Sequence, residues 1–499
     1  MNNPQAEPGR RRVFSRLQQL SWALFLIALP VTSFPYLPSI IGGATLVRPL
    51  SVYPLLLLVC IATLPRLFTA PAPGTIRALL PFALIALASS LLSLMRGIDP
   101  LLGVSVSDRI LRGLLTLSLG GAIYLTVAIM PRNVEELRAS LRWLYFGFIL
   151  ALSWGTLQAV YVIHFDPQYF QFLQKLQAFL STRKIFYNRV SGMTYEPNWF
   201  AEQISFLLLP WLLAAVLSDQ SVFRWRWRRL TIEGVLLVWS VLILILTFSR
   251  AGLMNLIVLL LVGLVFFRLQ PRSRHAHRRS LLATWTRRLL EAGAAVLVCV
   301  ALVYIASTRN EFFARIWNYW RVTQERSLGE YFEFIGFGAR FMYAETAYNI
   351  FAANPIVGVG LGNYAFYFDE LLPDEFLART PEVLRILTPE VGRSRLITPK
   401  NLYFRILAET GLLGMAAFIS FLAAILGCAL FLWMAPEPQP RYWGMAGLLG
   451  LGVFLTAAFS FDSLALPNMW VVFGLITAAA WVYANPPATG TTVICEGEP

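Results

Sequence analysis

An all-α integral membrane architecture, with about twelve transmembrane helices and one large helical loop between the ninth and tenth, is what this sequence predicts. Three observations predict it. Of its 499 residues 57% are apolar and only 14% charged, against the quarter or so that soluble domains carry. Apolar runs of membrane length recur along the chain, and the arginines crowd into alternate connections between them.

A helix needs roughly 20 apolar residues to cross the hydrocarbon core. Runs near that length fall at 20–35, 47–65, 78–95, 113–130, 143–163, 198–217, 231–248, 251–267, 289–306, 405–434, 443–461 and 468–484. Arg10, Arg11, Arg12 and Arg16 precede the first run and place the N-terminus in the cytoplasm; an even number of spans returns the C-terminus to the same side. The first run lacks a small-residue cleavage site, so it reads as a retained helix rather than a signal peptide. The connections assigned to the cytoplasm hold 21 arginines, no lysine and 7 acidic residues, and so carry the whole of the +14 net charge.

That asymmetry explains the basicity without nucleic acid. Arg224, Arg226, Arg228 and Arg229 alternate with Trp225 and Trp227, within reach of anionic lipid headgroups. His275 and His277 lie in the next basic connection with no cysteine or acidic neighbour to complete a metal site. The four cysteines, Cys60, Cys299, Cys428 and Cys495, are scattered and imply no disulfide framework.

Residues 1–306 thus hold the first nine helices with an outer loop at 164–197. Residues 307–400 form the large outer loop, 401–484 the last three helices and 485–499 a cytoplasmic tail. Loops of this size are usually functional. All three lysines, Lys175, Lys184 and Lys400, fall in the two outer loops, as contacts to an anionic ligand or as ordinary surface lysines. Phe313, Trp317 and Trp320 recur at helical spacing, as in helices lying on a bilayer surface. Asn354-Pro355 ends one helix, and the run Gly358-Val359-Gly360-Leu361-Gly362-Asn363 after it demands tight backbone geometry. Its N–H groups are placed to cradle an anion, or the run is simply a turn before the chain re-enters the membrane. No internal repeat of the kind found in inverted-repeat transporters is visible.

Arg250 stands between two apolar runs with only Ser249, Ala251 and Gly252 beside it, at the outer end of a tight helical hairpin. Ionisable residues at membrane depth are functional candidates; the alternative is an arginine snorkelling to the interface. Arg189 and Glu196-Pro197-Asn198 occupy the same outer layer, and Arg340 precedes the glycine run. Three arginines are therefore expected to converge on one outer cavity. A guanidinium grips phosphate bidentately and keeps its proton, which suits a pyrophosphate. Fixed arginines stabilise the negative charge that grows on a leaving phosphate more than they stabilise the ground state. No Asp-x-Asp or histidine cluster suggests a metal for this work. Lys400-Asn401 opens the tenth span, and Glu409 follows two to three turns later as a base or as the group that orients Lys400 or Arg405.

Arg189-Val190-Ser191-Gly192 with Glu196-Pro197-Asn198 and Phe200, Ser249-Arg250-Ala251-Gly252, Arg340 with Asn354-Pro355 and the glycine run, and Asn401-Leu402-Tyr403 through Glu409-Thr410-Gly411-Leu412-Leu413-Gly414 follow one another in this order. The set resembles the O-antigen ligase and polymerase family over about residues 189–414. The resemblance implies a multi-pass inner-membrane glycosyltransferase of the C-type (GT-C) architecture, active on the periplasmic face without metal or cofactor. Its donor would be a glycan on undecaprenyl pyrophosphate. The partners implied are that lipid-linked oligosaccharide, membrane lipids, a polysaccharide flippase and a chain-length regulator.

The substrate-binding set expected on this basis is Arg189, Arg250, Arg340, Gly360, Asn363 and Asn401, and the catalytic set Arg250, Arg340, Lys400, Glu409 and Glu196. In the ligase branch a histidine directly precedes the asparagine that opens this helix; here the position is Lys400. Neutral imidazole accepts a proton near neutral pH, whereas an ordinary lysine is protonated and only donates. Lys400 is therefore expected to contact phosphate or carboxylate, leaving Glu409, Glu196 or Asp369 to take the acceptor's proton. This departure favours polymerisation of repeat units over ligation to lipid A core. Transport of a lipid-linked glycan is the alternative from another class, and one large outer loop facing a sparse inner side argues against it.

Overall fold

The computed structural model describes residues 8–36, 47–223, 225–227, 230–269, 338–374 and 396–486, with isolated positions between 301 and 334. Apart from Ala301 and Tyr304 the expected span at 289–306 lies outside these residues, as do His275, His277, Phe313, Trp317 and Trp320. In chain order the helices are α1 (Pro8–Ala28), α2 (Val52–Thr69), α3 (Gly74–Leu94), α4 (Val106–Ile129) and α5 (Val134–Ile163). Then come α6 (Pro167–Gln177), α7 (Pro197–Ser218), α8 (Ile232–Leu246) and α9 (Arg250–Leu269). The last four are α10 (Gly338–Ala353), α11 (Leu402–Met434), α12 (Pro438–Ala457) and α13 (Pro467–Ala484).

Among the described residues eight helices are long and apolar enough to cross a membrane, so this is an all-α, multi-pass membrane protein. Among the described residues the one sheet is a two-residue ladder, β1 (Arg226–Trp227) against β2 (Leu230–Thr231), in the stretch where arginine alternates with tryptophan.

Several helices outrun their apolar segments because polar caps start them early. α5 begins at Val134, ahead of the apolar run at 143, because Asn133 Oδ1 accepts the Glu136 N–H at 2.9 Å while Glu136 Oε2 accepts the Arg132 N–H at 2.8 Å. This reciprocal cap satisfies N–H groups that an uncapped helix start leaves open. Inside the bundle, packing rather than hydrophobicity decides contact, since lipid is as apolar as leucine. α4 and α13 meet where a Cβ on Gly120 would fall 2.2 Å from Trp470 Nε1 and one on Gly474 would fall 2.6 Å from Val127 Cβ. Trp211, Trp443, Trp470 and Tyr124 are fully buried around this contact and the α12 crossing.

The feature that shapes one end of the bundle is a break in α11. Gly411 adopts φ 65°, ψ −164° inside the helix, which strips local carbonyls and amides of their intrahelical partners. The glycine run supplies new ones: Val359 N–H donates to Ala408 O at 3.0 Å and Gly360 N–H to Glu409 O at 2.8 Å. In return Leu412 N–H donates to Pro355 O at 2.8 Å and Leu413 N–H to Ile356 O at 3.2 Å. Backbone at membrane depth is stable only when every polar group is satisfied in this way. The approach also explains the composition. A Cβ on Gly358 (φ +70°) would lie 2.5 Å from the Glu409 carbonyl carbon, and one on Gly411 would lie 2.4 Å from Ile356 O.

Candidate active site

The N-terminal ends of α7, α9, α11 and α13 and the C-terminal ends of α8 and α12 gather at this end of the bundle, and most of the expected residues lie there. Between α8 and α9 the chain reverses in three residues, with Phe248 in the left-handed region at φ 48° and Ser249 Oγ accepting the Gly252 N–H at 3.2 Å to start α9. Arg250 is the first residue of α9, half-buried. Arg189 is its neighbour. Its Nε donates to Thr247 O and its Nη2 to Asn198 Oδ1, each at 2.8 Å. Burial draws the Arg189 guanidinium down to about 10, Glu196 pulls it back up and Arg250 pushes it further down; it remains charged at neutral pH.

From Arg250 a bonded path leads to the other arginine. Asn255, one turn further along α9, accepts the Thr456 hydroxyl at 2.9 Å. Three residues beyond, at the end of α12, Phe459 O accepts Arg340 Nη1 at 3.2 Å. One turn along α10 from Arg340, the Tyr343 ring lies under Lys400, with Nζ 4.6 Å from its centroid, a cation–π contact. Lys400 is held in the left-handed region at φ +53°, with its N–H donating to Asp462 Oδ2 at 2.8 Å. A non-glycine residue there stores about 1–3 kcal/mol of strain. Next in the chain Asn401 caps α11, its Oδ1 accepting the N–H groups of Tyr403 and Phe404 at 3.0 and 3.2 Å.

Glu409 is 1% exposed and pairs with Arg405 Nε at 3.0 Å, while Arg405 Nη1 donates to Asp462 O at 2.6 Å. Of the roles open to Glu409, orienting Arg405 is the one its contacts fill. Arg109 on α4 lies within electrostatic range of Arg405, Glu409 and Asp462, and its Nε donates to Gly362 O at 2.7 Å. Glu196 forms an ion pair with Arg183, whose guanidinium also stacks on Phe186 and Tyr195 at 4.7 and 4.9 Å.

The structure thus places Arg189 beside Arg250, and Lys400 over Tyr343 one turn along α10 from Arg340, with Asp462 joining Lys400 to the Arg405–Glu409 pair and an α9–α12 bond between the two groups. The glycine run sits elsewhere in the logic. The N–H groups of Gly358, Val359, Gly360 and Asn363 bond to chain carbonyls and that of Leu361 bonds to Ser90 Oγ. Asn363 is fully buried and gives its amide to Ser93 Oγ and Val359 O at 2.8 and 2.9 Å. Gly360, expected as a substrate contact, gives its N–H to Glu409 O at the α11 break, and Asn363, expected likewise, ties the run to Ser93 on α3.

Two residues escaped the sequence reading. Asp462 joins Lys400 to Arg405, and its one visible signal was an acidic residue in an otherwise apolar stretch between two spans. Arg109 gave no signal, because an arginine near the start of a span looks like an ordinary flanking charge. Asp369, named as a proton acceptor, lies on the short helix Phe368–Leu371.

Residues 235–419 match the family described as O-antigen ligase. This segment is similar to the O-antigen ligase family. It takes in Arg250, Arg340, the glycine run, Lys400-Asn401 and Glu409, and therefore the α9 start and the α11 break that shape the site. No curated protein matches the chain. This likeness supports glycosyltransferase chemistry of the ligase and polymerase type in polysaccharide biosynthesis.

Proposed function

We propose that this protein lengthens a polysaccharide on the periplasmic face of the inner membrane, transferring a glycan from undecaprenyl pyrophosphate to a new lipid-linked repeat unit. The observation that carries the reading is the connected arc of cationic side chains, Arg189, Arg250, Arg340 and Lys400, anchored by backbone carbonyls, a carboxylate and an aromatic face at one end of the bundle. Arg250 and Arg340 hold the pyrophosphate, with Arg189 behind Arg250. As the bond from the anomeric carbon to the phosphate oxygen breaks, both bonding electrons go to the phosphate, and the fixed guanidiniums stabilise that charge. An acceptor hydroxyl oxygen bonds to the anomeric carbon and its proton leaves to a carboxylate. Glu196 and Glu409 are committed to Arg183 and Arg405; Asp462, steadied beside Lys400 by the Lys400 N–H, takes it in this reading. No metal or cofactor takes part in this scheme.

Ligation to lipid A core is the second reading, favoured by the match of residues 235–419 to the O-antigen ligase family. Vesicles holding the purified protein and labelled lipid-linked repeats separate the possibilities. A ladder of longer lipid-linked glycans supports polymerisation; transfer only when lipid A core is supplied supports ligation. Movement of the label across the bilayer with no change in its length overturns both in favour of transport.

A further inference from the structure

We propose that α6 and the loop after it form a shelf that lies in the headgroup layer of the leaflet on the site side and docks on anionic phospholipid. α6 leaves the last turn of α5 with Asp166 Oδ1 accepting the N–H groups of Gln168 and Tyr169 at 2.7 and 3.0 Å. One face is tied to α5: Leu173 and Gln177 are each 1% exposed, Gln177 Oε1 accepts Trp154 Nε1 at 2.7 Å, and Tyr169 OH donates to Leu157 O at 3.0 Å. The adjoining side of the helix is uncovered among the described residues. Phe172 and Leu176, four residues apart and so on one side of the helix, are 57% and 38% exposed, and Phe179 just beyond the helix is 62% exposed. Gln168, Gln171 and Lys175 border them as an exposed polar edge.

Bilayer is the occupant that fits. The exposed aromatic face continues the apolar outer surface of α5, where Leu157, Val160 and Ile163 are 45%, 52% and 68% exposed, so the same lipid that covers the span meets the shelf. Charge points the same way. With Arg183 paired to Glu196 and Arg189 turned to the site, the segment still presents Lys175 and Lys184 as exposed basic side chains, which the positive-inside rule disfavours on this side. An interfacial helix with aromatic residues below and basic residues at phosphate level is the arrangement that binds anionic lipid, at about 1 kcal/mol per basic residue near the surface.

The test reads depth, not activity. Gln171→Cys, Phe172→Cys and Phe179→Cys are made in a chain whose native cysteines are serine, labelled with an environment-sensitive fluorophore and placed in nanodiscs of phosphatidylethanolamine and phosphatidylglycerol. Blue-shifted emission and at least about twofold quenching by lipid nitroxides near the headgroup are expected at 172 and 179 but not at 171. Equal quenching at all three, or none, overturns the proposal. Nanodiscs without phosphatidylglycerol should weaken the contrast; an unchanged contrast removes the role given to the basic residues. Should the cysteine-free chain fail to fold, hydroxyl-radical footprinting of the unaltered protein in the same nanodiscs reads the same face. Slow oxidation of Phe172 and Phe179 relative to the exposed Tyr348 supports it, and comparable oxidation refutes it.

Discussion

Replacing Gly358 by alanine probes the seam between the glycine run and the broken helix. Its φ of +70° is in the left-handed region, where a Cβ costs about 1–2 kcal/mol. The new atom would also sit 2.5 to 2.6 Å from the backbone of Ala408, Glu409 and Thr410, with no flexible side chain to give way. Relieving that clash stretches the bonds from Val359 to Ala408 O and from Gly360 to Glu409 O, each with a net value of about 0.5–1.5 kcal/mol. Together these terms give a loss of roughly 2–5 kcal/mol. The control is Gly427→Ala within α11, where a Cβ meets nothing within 4 Å and alanine is favoured over glycine by about 1 kcal/mol. Thermal unfolding of both variants in one detergent should therefore move in opposite directions, and Gly358→Ala should also lose activity because Glu409 and Arg405 shift with the seam. A Gly358→Ala protein that unfolds with the wild type would show that the run is not welded into α11.

Other substitutions separate chemistry from folding. Arg250→Ala and Arg340→Ala should each lower the rate of glycan transfer by roughly 10² to 10³, measured on protein that elutes as a folded species; full activity in either removes that arginine from the site. Lys400→Gly should raise thermal stability by relieving about 1 kcal/mol or more of left-handed strain while lowering transfer, and a stable, fully active variant would strip Lys400 of its role. Asn401→Ala should cost about 1 kcal/mol through loss of the α11 cap, read as a small drop in unfolding temperature. If it instead leaves stability intact and weakens donor binding, Asn401 contacts substrate rather than serving as a cap.

Most of the fold was legible because it rests on local signals. The apolar runs give the helices, and Asn401 announces α11 by its side-chain chemistry alone; Asn133, which starts α5 ahead of its apolar run, went unread. The candidate site was legible only where a residue stood out against hydrocarbon, as Arg250 and Glu409 do. What the sequence hid is pairing between distant segments. Nothing in Gly358-Val359-Gly360 says that its N–H groups meet carbonyls about fifty residues later, so an anion cradle and a structural seam look alike until Gly411 is seen to break its helix. Asp462 was hidden for the same reason, since its importance comes from Lys400 and Arg405 lying against it.

The most direct measurement is the affinity of the purified protein in nanodiscs for undecaprenyl pyrophosphate bearing no sugar, set beside that for the monophosphate. Tighter binding of the pyrophosphate, weakened tenfold or more by Arg250→Ala and by Arg340→Ala, is the expected result. Equal affinity for the two lipids, untouched by either substitution, would contradict the assignment of these arginines to a diphosphate.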